Sequence, residues 1–171
     1  MKRAPLSSYI GFVLLLGLTL VQSSIGPFFT IAGRHLDLVL TAVVGWTLLR
    51  GPGEGVLWAI AGGLCLDLFS SGPFGLMTIA LVVTSLLAGL GYGRVFGGYM
   101  VLPLVVAFPF SLVYYLVYTL LLDVSGRSVA WLPALTNVIL PASLLDIVAM
   151  LILFPPLRML HRRAGREEIS W

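Results

Sequence analysis

Three carboxylates stand inside or at the margin of long apolar runs, Asp37, Asp67 and Asp146. A carboxylate so placed can cap a helix, pair with a cation, or hold a proton. Each use demands a partner, because an unpartnered charge at mid-membrane costs about 2.5–3.5 kcal/mol on insertion scales. Asp67 follows Gly55, Ala59 and Gly63 at steps of four, forming one helical ridge of small residues that admits a close neighbour. Ala80, Thr84 and Ala88 offer a matching row on the next segment. The ridge suits a helix of the same chain or one of a second protein. Asp37 lies fifteen residues before Pro52 and Asp67 fifteen after it, so a hairpin turning at Pro52 sets both at similar depth, close to Arg34 and His35. Two readings follow: a charged cluster of Arg34, Asp37 and Asp67, or a solvated Asp37 that caps its helix.

Asp146 shares its run with Ser143 and, earlier, Asn137. These intramembrane polar groups serve structural packing or one wall of a polar cavity. A proton-coupled carrier built on Asp146 would need more than one mid-membrane ionisable group, and no Lys, Arg or His falls in any predicted helix core. Phe108, Ser111, Tyr115 and Tyr118 share a helical face with Tyr114 beside them, which suits a ligand cavity, a helix partner or plain core.

Catalysis finds little footing. The only two histidines, His35 and His161, fall on opposite sides of the predicted bundle, so they cannot share a metal or a nucleophile. There is no Gly-x-Ser-x-Gly, no His-Glu-x-x-His and no phosphate-binding Gly-rich loop. The single cysteine, Cys65, has no basic neighbour to make it a thiolate and no mate for a disulfide. The expectation is no enzyme, no metal and no cofactor.

The elements that position these residues follow from composition. Of 171 residues 59% are hydrophobic and 10% charged, too few polar groups to cover a soluble globule. The ten basic residues are scattered, which leaves no nucleic-acid footprint. Apolar runs extend over about Ser8 to Ser23, Leu38 to Leu49, Gly55 to Phe69, Phe74 to Tyr92, Met100 to Leu122 and Ala134 to Leu157. Unbroken runs argue for helices rather than a barrel, so the fold class is an all-α integral membrane protein, a six-transmembrane-helix bundle forming a single transmembrane domain over residues 1–171. The first run, after Lys2-Arg3, could pass for a signal peptide but is read as a retained helix, because more apolar segments follow it. Gly51-Pro52-Gly53 and Ser71-Gly72-Pro73 are tight hairpins. With both termini cytoplasmic, eight basic residues fall inside and two, Arg34 and Arg127, outside. The second and third segments reach only about 20 Å against about 30 Å of hydrocarbon, so either the bilayer thins, neighbours shield them, or they form a re-entrant hairpin. Pro103, Pro109 and Pro141 each free a carbonyl four residues earlier, and a kink is expected at Asn137. Trp131, Tyr118 and Tyr92 read as interfacial anchors.

The run Gly63-Leu64-Cys65-Leu66-Asp67-Leu68, then Ser70-Ser71-Gly72-Pro73-Phe74-Gly75-Leu76, resembles the Gly-x-x-x-Asp-Leu-x-Ser-Gly-x-x-x-Gly signature of the rod shape-determining MreD family. Asp37-Leu38-Val39-Leu40 and Trp46-Thr47-Leu48-Leu49-Arg50-Gly51-Pro52 resemble its second helix and basic turn. Two departures stand out: Leu36 replaces a frequent Pro, and the Ser-Gly spacing is longer by one residue, though Pro73 and Gly75 are kept. The resemblance implies a non-catalytic subunit of the cell-elongation complex in the bacterial inner membrane, surrounded by lipid and binding MreC. It implies MreB, RodA and a class B penicillin-binding protein as indirect partners in lateral peptidoglycan synthesis. The family is also similar in fold to the S-components of energy-coupling-factor transporters, so a vitamin-binding S-component is the alternative. That alternative would want a small-residue docking stripe on the first helix, where Gly11 and Gly17 are six apart rather than four.

Overall fold

A computed structural model of the chain describes residues 6–25, 37–70, 72–91 and 102–164. Among these residues every regular element is helical: α1 (Leu6–Ile25), α2 (Leu38–Arg50), α3 (Pro52–Phe69), α4 (Leu76–Gly89), α5 (Leu102–Val124), the short turn α6 (Trp131–Ala134), a π-helical turn (Leu135–Ile139) and α7 (Leu140–Ala164). The last three run on without a break, so six rods result. Three are long and apolar enough to cross a membrane, Pro52–Phe69, Leu104–Val124 and Trp131–His161. Two are shorter apolar helices, Leu38–Arg50 and Leu76–Gly89, and α1, 20 residues long, contains the apolar stretch Val13–Gln22. The six apolar helices that the sequence suggests are thus present, and three of them are long and apolar enough to cross a membrane.

The shortness of α2 has a packing explanation. Every residue from Val39 to Leu49 is buried, and α2 touches α1, α3, α4, α5 and α7. The outer helices follow one another around it in the order α1, α3, α4, α5, α7. A 13-residue helix is only about 20 Å long, but protein on all sides removes the mismatch with lipid. Of the three readings of the short segments, shielding by neighbours is the one seen at α2. The third segment is longer than its apolar run suggests. Pro52 opens α3, where its missing N–H is no loss, and Gly51 alone joins the two helices. Its backbone, φ 91° and ψ 177°, is open essentially to glycine only.

The small-residue ridge is spent inside the chain. A Cβ on Gly55 would strike the Thr47 side chain of α2, and one on Gly63 would strike the Thr78 backbone of α4. Ala59, Ala80, Thr84 and Ala88 are all fully buried. Thr47 marks the crossing of three helices: its hydroxyl donates to the Val43 carbonyl and lies 3.0 Å from the Ser85 hydroxyl of α4. Near the far end of α2, the Trp46 and Trp58 rings stack at 4.3 Å. There Glu54 accepts from Trp46 Nε1 at 3.1 Å and pairs with Arg50 at 3.4 Å. Large apolar side chains point outward, among them Leu57, Leu68, Val105, Leu144 and Ile152, a surface suited to lipid rather than water.

The prolines behave differently from one another. Pro103 falls in the first turn of α5 and costs no internal hydrogen bond, while Pro109 sits inside α5. Ahead of Pro141 the helix widens into the π-turn Leu135–Ile139, which takes up the missing donor where the sequence suggests a kink. Trp131 is exposed at the start of α6, and Tyr118 borders a cavity. Tyr92 and five of the ten basic residues used for orientation, Lys2, Arg3, Arg34, Arg94 and Arg166, lie outside the described residues.

Gly63→Ala is expected to lower the thermal midpoint in detergent, with a loss of about 1–3 kcal/mol for overpacking against backbone. Gly17, with nothing within 4 Å of an added Cβ, should accept alanine with no loss. Fluorescence-detected size exclusion after heating measures both, and equal midpoints would refute the close approach of α3 and α4.

Candidate functional site

A helix leaves its first four N–H groups without internal partners. In α2 those groups are buried or half-buried beneath neighbouring helices, where an unpaired N–H is costly. Side chains supply every acceptor. Asp37 N–H donates to Asp146 Oδ1 at 3.1 Å. Leu38 and Val39 N–H donate to Gln22 Oε1 at 2.9 and 3.2 Å, and Leu40 N–H donates to Asp37 Oδ1 at 2.9 Å. Gln22 Nε2 reaches the same Asp37 oxygen at 3.4 Å. The first internal bond, Thr41 N–H to Asp37 O, follows at 3.1 Å. Gln22 from α1, Asp37 at the cap and Asp146 from α7 thus close one helix end among them.

The start of α4 is closed by the same device. Its cap residue, Gly75, adopts φ +94° and has no side chain to offer. Asp67 of α3 takes the role across the turn: Oδ1 accepts from Met77 N–H at 3.1 Å, and Oδ2 accepts from Thr78 N–H at 3.1 Å and from the Thr78 hydroxyl at 2.6 Å. Glycine at 63 lets the Thr78 backbone come this near. Pro73 lies in the intervening turn.

A cavity of about 470 Å³ opens between these two capped ends. Gln22 and Asp37 form one side, Met77 of α4 another, and Tyr114, Tyr115 and Tyr118 of α5 a third. Val138 and Ala142 close it from the last helical run. Tyr114 lies within electrostatic reach of Asp37, Asp67 and Asp146 together. Ser111 is buried beside Asp146 and does not line the cavity.

Several expected groupings are rearranged. Asp37 caps its helix, but it is only 8% exposed, not solvated. Asp37 and Asp67 share no partner, because each is taken up by a different helix end. Arg34, the expected cation of that cluster, lies outside the described residues. Ser143 and Asp146 are fully buried, whereas Asn137, in the π-turn, is exposed. Gln22 was not singled out from the sequence. It is the last polar side chain of α1 with described surroundings, and nothing local marks it as the acceptor for a helix sixteen residues on. Among the described residues no three His, Cys, Asp or Glu side chains gather as a metal site.

Gln22→Leu strips the acceptor from two buried N–H groups and should destabilise the fold by about 1–3 kcal/mol for each orphaned donor. Asp146→Leu should behave likewise through Asp37 N–H, while Asp146→Asn, which keeps an oxygen there, should retain most of the stability. Asp67→Ala should lower abundance and thermal midpoint. Melting curves in one detergent rank the four variants, and an Asn variant no better than Leu at 146 would remove the capping role.

Compared with models of protein families, the chain matches one described as rod shape-determining protein MreD, over residues 3–164 of 171. No significant match is found among the curated proteins or the solved structures, so the expected likeness to S-components rests on no structural comparison. The family match runs through both capped helix ends and the whole bundle, and on that extent the chain belongs to the MreD family of rod shape-determining membrane proteins.

Proposed function

We propose that the chain acts in rod shape determination as a non-catalytic, multi-pass subunit of the inner membrane, holding MreC within the elongation complex. The observation that carries this reading is the family match along nearly the whole chain. Charge bias supports an orientation with the Asp37 end outward and the Arg50 end in the cytoplasm. On this reading MreB, RodA and a class B penicillin-binding protein are met through MreC. Because Gly55 and Gly63 are occupied by Thr47 and Thr78 of the same chain, MreC has to meet another surface. The outward apolar residues leave room for that, since membrane helices associate by close packing rather than by escape from water.

Co-expression with MreC from the same cell, followed by purification in mild detergent or nanodiscs, tests the proposal. Stoichiometric co-purification is expected from the parent chain and from Gly17→Ala. Absence of MreC from a well-folded preparation would overturn the assembly role.

A further inference from the structure

The cavity at the Asp37 end has a lopsided chemistry. One side is phenol rings: Tyr114 and Tyr118 lie nearly parallel with centroids 6.4 Å apart, and Tyr115 stands edge-on to Tyr114 at 5.2 Å. Asp37 contributes a carboxylate to the opposite side. Behind the wall Asp146 is fully buried, within reach of the Ser111 and Tyr115 hydroxyls, and the buried Ser143 hydroxyl has no hydrogen-bond partner. No cation among the described residues lines the space. The ion pair Arg50–Glu54 lies at the other end of α2, and Arg127, which acts on Tyr118, sits on the exposed segment after α5.

The α2 N-terminus offsets part of this negative charge, by about half a unit, but its donors are already engaged by Gln22, Asp37 and Asp146. An anion would find neutral hydroxyl donors in the tyrosines, but it would lie against the Asp37 carboxylate. A cation would meet that carboxylate together with three aromatic rings, the combination that recognises ammonium ligands. The volume falls within the roughly 300–1,000 Å³ of small-molecule sites, and Met77, Leu122 and Val138 add apolar wall.

We propose that this cavity binds a small organic cation, an ammonium carried on an apolar body, with the ammonium among Tyr114, Tyr115 and Tyr118 and facing Asp37. The site is independent of the assembly role, and failure of one leaves the other standing.

The test uses the full chain in nanodiscs of phosphatidylglycerol, a lipid without an ammonium headgroup. Acetylcholine serves as a probe cation and 3,3-dimethylbutyl acetate as its uncharged isostere, each titrated calorimetrically against empty nanodiscs. Saturable binding of the cation is expected, with the isostere weaker by about tenfold. Tyr118→Leu should weaken the cation several-fold, and Tyr118→Phe, which keeps the ring, should stay within about twofold. Equal affinity for the two probes, or no saturable binding of the cation, would overturn the proposal. That comparison uses the unaltered chain and so decides the matter whether or not the leucine variant folds.

Discussion

Complete burial of α2 is the constraint on which the rest of the molecule depends. A helix encased by protein has no lipid mismatch to resolve, which explains how 13 residues can stand at the centre of a membrane bundle. Its leading end, at Asp37, is buried as well. Its four leading N–H groups must find acceptors inside the protein, and they do so from α1, from the cap and from α7. The cost of leaving such groups bare, about 1–3 kcal/mol each, ties helices distant in sequence to one point.

The α3–α4 turn solves the same problem with different parts. A positive-φ glycine gives α4 its starting geometry but no capping oxygen, so the carboxylate of Asp67 comes from the preceding helix. This works only because Gly63 lets the two backbones nearly touch. Small residues and acid therefore act as one device: the ridge sets the distance, and Asp67 uses it.

Between the two capped ends the chain leaves space rather than filling it. Tyrosines from α5 border that space with their rings and hydroxyls, and Asp37, which holds one helix end, adds a carboxyl group. A stabilising arrangement thus creates, as a by-product, a chemically defined chamber at the Asp37 end of α2.

The sequence by itself determined the class of protein, the apolar segments, the hairpin at Gly51-Pro52 and the small-residue ridge ending in Asp67. All of these are local patterns of hydropathy and spacing, and the family signature is equally local. It did not determine which helices the ridge would meet, because small residues at steps of four suit any neighbour. Nor did it determine the partners of Asp37 and Asp146, whose bond joins residues 109 positions apart, or the part played by Gln22. Those were settled by the tertiary structure, since only the burial of α2 turns its ordinary N–H groups into demands that particular distant side chains must meet. The cavity has the same origin: four or more elements border it, and no single segment carries its shape.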